Sequence, residues 1–277
     1  MRNFVAVILA LLPFLVQAQG SIGSFTADET MFYAQTKQVN QFFLRFNAEE
    51  DIRGNRLYPG DVGYHDLKAR KKYLEMLFDN SSPMINEDKK FVFIEDALNK
   101  RNPAFLDFYS NNWFAELSAT FHYKKEKVNL ILYLKIEKQL QGYKWVISNV
   151  YFDRFESWFT HIHDTLNTSH IIHPMSHELD FMNIHKAFRE PENIDYYLQR
   201  NYQPDMLGLF VMEVKNGNLV FGSVNTVKFH IFQIPNWYFE LSWFNRNSNN
   251  SGWLISNVLR LTDKEKKELM RNYTQVN

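Results

Sequence analysis

The sequence predicts an α+β protein built from two tandem modules, each a set of N-terminal helices packed on an antiparallel sheet. In each half the hydrophobic period passes from helical spacing to strict alternation. Each half also closes on nearly the same tryptophan-led strand, W-V-I-S-N-V at 145–150 and W-L-I-S-N-V at 253–258. Gly-containing turn signals separate the alternating runs.

In the first half, Thr26 and Glu29 form a capping-box pattern ahead of Phe32, Val39, Phe42, Phe43 and Phe46, which predicts a helix over 27–49. After a polar loop around Gly54, Pro59, Gly60 and Gly63, Leu67, Leu74, Leu77 and Phe78 space out a second helix. Asn86 caps a third that carries Phe91, Ile94 and Leu98. Trp113 to His122 and Val128 to Glu137 then alternate as two half-buried strands, with Lys124 to Lys127 as their turn. A turn at Gln141 and Gly142 leads to the strand holding Trp145 and Ile147.

The second half runs in the same order. Ser176 caps a helix with Leu179, Met182 and Phe188, and Pro191 opens another with Ile194, Tyr197 and Leu198. Leu207 to Val214 reads as a strand entering an Asn216-Gly217 hairpin, with Leu219 to Phe221 beyond it. Strands follow from Val227, from Trp237 and over 253–261, and Thr262 with Glu265 caps a short C-terminal helix. The closing strands match at five of six positions. A second match, N-W-F-A-E-L-S at 112–118 with N-W-Y-F-E-L-S at 236–242, stands at a different offset, and is read as shared strand chemistry or as a hairpin one strand shorter in one half.

The N-terminus carries Arg2, an apolar run from Phe4 to Val16 and the small residue Ala18, the layout of a secretory signal. This predicts a signal peptide over 1–18, a first module over 25–158, a His-rich connector over 159–175, and a second module over 176–277 with its short helix. Cysteine is absent, which excludes disulfides, and favours a bacterial periplasmic or secreted protein that relies on its apolar core. With 25 Phe, 14 Tyr and 6 Trp that core is large. The 31 basic and 31 acidic residues balance, so no net field recruits nucleic acid, and no integral membrane segment is expected once the signal is removed.

Helices followed by a meander that ends on G-Y-K-W-V-I-S-N-V at 142–150 and G-W-L-I-S-N-V at 252–258 resemble the nuclear transport factor 2-like (cystatin-like) superfamily. The resemblance covers 25–158 and 175–262, although the second copy lacks the two residues between Gly and Trp. It implies a curved, cone-shaped sheet wrapped on a helix, with a pocket that isomerases and dehydratases of the superfamily use and many binding or dimerisation modules do not. The chain also resembles exported proteins of Bacteroidota. No local motif carries over a catalytic residue.

By simple alternation Trp145 and Ile147 share a face with Asn149, and Trp253 and Ile255 with Asn257. The two asparagines would then be polar groups at an aromatic pocket, or the tryptophans plain core anchors. Histidines crowd 161–185, and His161, His163, His173 and His177 could supply metal nitrogens, against the reading of a polar connector without metal. Glu49, Glu50 and Asp51 read as a solvated helix end. No serine-hydrolase, zincin or nucleotide-binding motif is present. The expectation is an exported, non-enzymatic binding or interaction protein without cofactor, its ligand an unknown small molecule or protein. The alternatives are a small-molecule isomerase, lyase or hydrolase, and a subunit of a cell-envelope assembly.

Overall fold

A computed structural model of the chain describes residues 39–51, 53–83, 85–157, 184–185, 187–198, 205–246 and 250–274. The expected signal peptide, the caps at Thr26 and Ser176 and the connector with His161, His163, His173 and His177 lie outside these residues. Helix α1 occupies 39–47. It is followed by α2 (Leu67–Met76), α3 (Glu87–Ala97), β1 (Trp113–Tyr123), β2 (Glu126–Gln139), β3 (Gly142–Tyr151) and α4 (Asp153–Ser157). A 3-10 helix (Pro191–Tyr197), α5 (Met206–Lys215), β4 (Leu219–Ile231), β5 (Trp237–Phe244), β6 (Gly252–Arg260) and α6 (Asp263–Thr274) complete the described order.

Local chemistry starts and stops these elements as expected in most places. Asn86 caps α3 by accepting from the Asp88 amide, and Asp66 caps α2 through the Ala69 amide. Thr262 and Glu265 exchange hydrogen bonds at the start of α6, a full capping box. The β1–β2 turn is tighter than the charged run suggested. Lys124 and Lys125 both take positive φ, 49° and 76°, and the strand resumes at Glu126.

One element differs in kind. The apolar run Leu207 to Val214, expected as a strand, lies within helix α5, which buries Met206 and Phe210 on one face. A short apolar run does not by its period distinguish helix from strand. The Asn216-Gly217 pair that suggested a hairpin instead ends this helix: Gly217 has φ 72°, and the amides of Asn216, Gly217 and Asn218 return to the carbonyls of Met212, Val214 and Glu213. Beyond it β4 is one long strand rather than two short ones.

The six strands form a single antiparallel sheet in the order β3-β2-β1-β4-β5-β6. The expected sheet in each half is therefore one three-stranded meander, and the two meanders merge where β1 pairs with β4. The strand order reads the same outward from that seam, so the repeated tryptophan strands, β3 and β6, are the two edges. The N-W-x-x-E-L-S segments fall on β1 and β5, which are not counterparts in this order.

One face of the sheet carries the main core. Trp113, Leu117, Phe121, Leu132, Phe229, Phe239 and Ile255 meet Phe42, Phe46 and Phe93 from the helices and Phe78 from the segment after α2. Phe46 stacks parallel on Phe239 at 6.2 Å, and Phe93 meets Phe239 edge-on at 5.5 Å. Trp145 and Trp253, from opposite edges, both lie against Phe229, with ring centroids at 6.2 and 4.7 Å. On a flat sheet their strands would stand five steps of about 4.8 Å apart. The sheet is thus strongly curved toward the helices, with Phe229 at the centre of the concave face.

The repeated I-S-N tripeptide encodes a local irregularity at each edge. Ile147 pairs with Leu134 and Asn149 with Tyr133, leaving Ser148 extra; Ile255 pairs with Leu241 and Asn257 with Glu240, leaving Ser256 extra. Each serine hydroxyl donates to the carbonyl opposite, Ser148 to Tyr133 at 3.1 Å and Ser256 to Glu240 at 3.4 Å. An extra residue inverts the alternation beyond it. It brings Val150 and Val258, both fully buried, onto the core face. Inserting an alanine between Asn149 and Val150 shifts the alternation by one residue and turns Val150 and Phe152 outward. We expect a loss of at least about 3 kcal/mol from two core side chains worth about 1.5–3 each, while Ser148→Ala costs about 1 kcal/mol. Urea unfolding midpoints compare the two, and equal midpoints would refute the parity argument.

Candidate functional site

The same inversion separates the residues that alternation had grouped. Trp145 and Trp253 stay with the core, whereas Asn149 and Asn257 pair with Tyr133 and Glu240 on the opposite, convex face. The four do not line one pocket. Asn149 is buried, its Oδ1 accepts from the Val150 amide at 2.8 Å, and its Nδ2 has no partner. Asn257 donates to Glu240 Oε1 at 3.2 Å.

Asn257 thereby joins a buried chain of titratable groups that the sequence reading did not single out. His230 is 1% exposed. Its Nε2 meets Glu116 Oε2 at 3.1 Å and its Nδ1 the Tyr238 hydroxyl at 2.8 Å. That hydroxyl donates in turn to Glu240 Oε1 at 2.8 Å. Since the Tyr238 proton is committed to Glu240, its oxygen can only accept from His230. The imidazole thus stands between the Glu116 carboxylate and the Tyr238 hydroxyl, with Glu240 one bond further on. The positions follow from register: Phe114 and Glu240 both pair across from His230, and Lys228 pairs with Glu116. Lys228 also reaches Glu240 Oε2 at 3.9 Å.

Helix α6 roofs this chain. Leu269, Met270 and Tyr273 pack on Phe114, Tyr133, Phe232 and Tyr238, and the Tyr273 ring lies 4.6 Å from His230. Burial, then the charge of Glu240, drive the Tyr238 phenol far above its ordinary range. Burial and Glu116 do the same to Tyr133. Burial also raises Tyr273, in part offset by its hydrogen bond to Tyr238. Glu116 moves the other way. Burial opposes its charge, but the hydrogen bond and charge of His230, with Lys228, outweigh burial and hold the carboxyl below its ordinary 4.5. Such a chain can pass a proton along its length. Its polar atoms are turned on one another, and the aromatic roof stands where a substrate would approach.

The carboxylates at 49–51 also differ from expectation. Glu50 is 3% exposed and accepts from Arg45 Nε at 3.1 Å, whereas Asp51 accepts from the Arg53 and Asn55 amides at the surface. Glu49 meets His65 Nε2 at 2.9 Å, and His65 stacks between Tyr64 and Phe105. Arg70 lies fully buried over the Phe105 ring at 4.2 Å, donating to the Phe46 and Ala104 carbonyls. These groups fasten the 48–66 loop to α2. No helix among the described residues is long and apolar enough to cross a membrane. Comparisons with protein-family models, with curated proteins and with solved structures found no match to this chain.

Glu116 defines a test of the network. With a lowered folded value, its contribution is complete above about 4.5 and is lost as pH falls through the folded value. Glu116→Gln leaves His230 Nε2 without its carboxylate partner. We expect a loss of about 2–3 kcal/mol at neutral pH, below the 3–5 of a fully buried pair because the Glu116 side chain is 19% exposed. The gap between wild type and variant should hold above about 4.5 and close as pH falls through the lowered folded value. A pH-independent gap, read from denaturant midpoints, would show that the charge is immaterial.

Proposed function

We propose that this protein is an exported, non-enzymatic binding or interaction protein. On this reading it is a duplicated unit of the nuclear transport factor 2-like kind, whose halves merge through β1 and β4. The observation that carries the reading is the filling of the concave face. Phe42, Phe46, Phe93, Phe229, Phe239, Trp113 and Trp237 occupy the side on which a pocket-bearing relative of this architecture would admit substrate. The equivalent serine bulges at Ser148 and Ser256 support duplication, and the Arg2 to Ala18 layout supports export into the periplasm or beyond. Trp145 and Trp253 serve here as anchors of the curved sheet, and partners meet the outer surfaces.

The competing enzyme reading draws on one arrangement, the Glu116–His230 pair. The full chain, screened for turnover of ester, glycoside and enolisable carbonyl compounds, should show none above buffer. Turnover that disappears in His230→Gln, with the variant still folded by circular dichroism, would end the non-enzymatic reading.

A further inference from the structure

The two sheet edges carry the same sequence motif and are used differently. At β6 the edge is filled by the segment Leu77-Phe78-Asp79, which adds in parallel: the Ile255 amide donates to the Leu77 carbonyl at 2.8 Å, and the Asp79 amide donates to the Ile255 carbonyl at 3.0 Å. Phe78 and Ile255 are fully buried there, and the Asp79 carboxylate is held by Arg246 Nη1 at 2.7 Å. Ile147 is the counterpart of Ile255. Each stands two residues after the repeated tryptophan and immediately before the serine bulge, and each pairs with a leucine, Leu134 or Leu241.

The shared register directs the Ile147 amide and carbonyl away from β2, as those of Ile255 point away from β5. Ile147 is 39% exposed where Ile255 is 0%, and among the described residues no segment pairs with this edge. Its surroundings suit an acidic, apolar strand. Lys138 and Lys144 are exposed at the β2–β3 end, and the Tyr109 and Tyr143 rings, both exposed, stack at 4.2 Å beside them.

Resting on the interaction reading above, we propose that the β3 edge at Ile147 is a docking site for one extended segment of a partner protein. The segment adds in parallel to β3, places a large apolar side chain beside Ile147 and carries a carboxylate three residues before it, beside Lys144 and near Lys138. The chain's own Leu77-Phe78-Asp79 at β6 is the pattern for the backbone bonds and the apolar position. Strand addition draws affinity from the backbone of an open edge and specificity from alternate side chains.

The probe is a fluorescein-labelled peptide with the sequence of residues 75–82, E-M-L-F-D-N-S-S, titrated into the full chain by anisotropy. Saturable binding is expected, with hydrogen exchange at the Ile147 amide slowed about tenfold or more at saturation. Ile147→Pro removes the outward donor at a position where an edge strand accepts proline, and should abolish binding without shifting the unfolding midpoint appreciably. Lys138→Glu with Lys144→Glu should weaken binding about tenfold, and a peptide with lysine in place of its glutamate should recover it on that variant. Binding that survives Ile147→Pro would put the peptide at β6 and overturn the proposal. So would no binding at millimolar peptide, or self-association of the full chain that Ile147→Pro abolishes. None of these failures produces turnover sensitive to His230→Gln, so the broader reading is judged separately.

Discussion

The convergence of Trp145 and Trp253 on Phe229 is the constraint from which the rest of the architecture follows. Two side chains from opposite edges of a six-stranded sheet can reach one ring only if the sheet is rolled. Rolling it creates a concave face that, among the described residues, is lined by packed aromatic and aliphatic side chains. Aromatic residues fill that space at low entropic cost per area, since each has only two side-chain torsions to fix. The high phenylalanine content is thus the material of the concave face, with Phe42 and Phe46 entering from α1 and Phe239 and Trp237 from β5.

Curvature of this kind needs a place where the strand can bend, and the serine bulges supply it at equivalent points of both edges. A bulge bends the strand that carries it and leaves a carbonyl without a partner in the ladder. The serine hydroxyl satisfies that carbonyl locally. Because the alternation inverts there, the convex face receives Asn149 and Asn257, and Asn257 meets Glu240. The burial of Val150 and Val258 and the outward turn of the two asparagines are consequences of one inserted residue per edge.

Periodicity made β1, β2, β3, β5 and β6 legible, and capping chemistry located α3 and α6. The α5 segment was not legible by the same means, because L-G-L-F-V-M-E-V is too short and too apolar for its period to be diagnostic, and Gly217 serves helix termination and hairpins equally well. Nor was the merging of the halves. Strands of two similar meanders look alike whether they close separate sheets or one, and the pairing of β1 with β4 depends on residues about a hundred positions apart. The tryptophans were read correctly as possible core anchors, but a bulge is invisible to strict alternation, so their asparagine partners were assigned to the wrong face. His230 was missed for a related reason. Its partners Glu116 and Tyr238 sit on neighbouring strands, and only Tyr238 and Glu240 are close to it in sequence.

The buried chain around His230 is better understood as a device for specificity than as a source of stability. Taking the Glu116 and Glu240 carboxylates out of water costs several kcal/mol per ion, and attraction to their partners returns that only when geometry and hydrogen bonding are complete. Leu269, Met270 and Tyr273 could rest their apolar surface on this face in more than one register. A purely apolar convex face would not choose among them. The Tyr273 ring against His230, with its hydroxyl bonded to Tyr238, does choose, because any slip of α6 would leave charged groups uncovered or phenols unpaired. The helix that closes the convex face is therefore positioned by polar groups and held by apolar ones. The concave face, where aromatic shape alone sets the fit, has the opposite division.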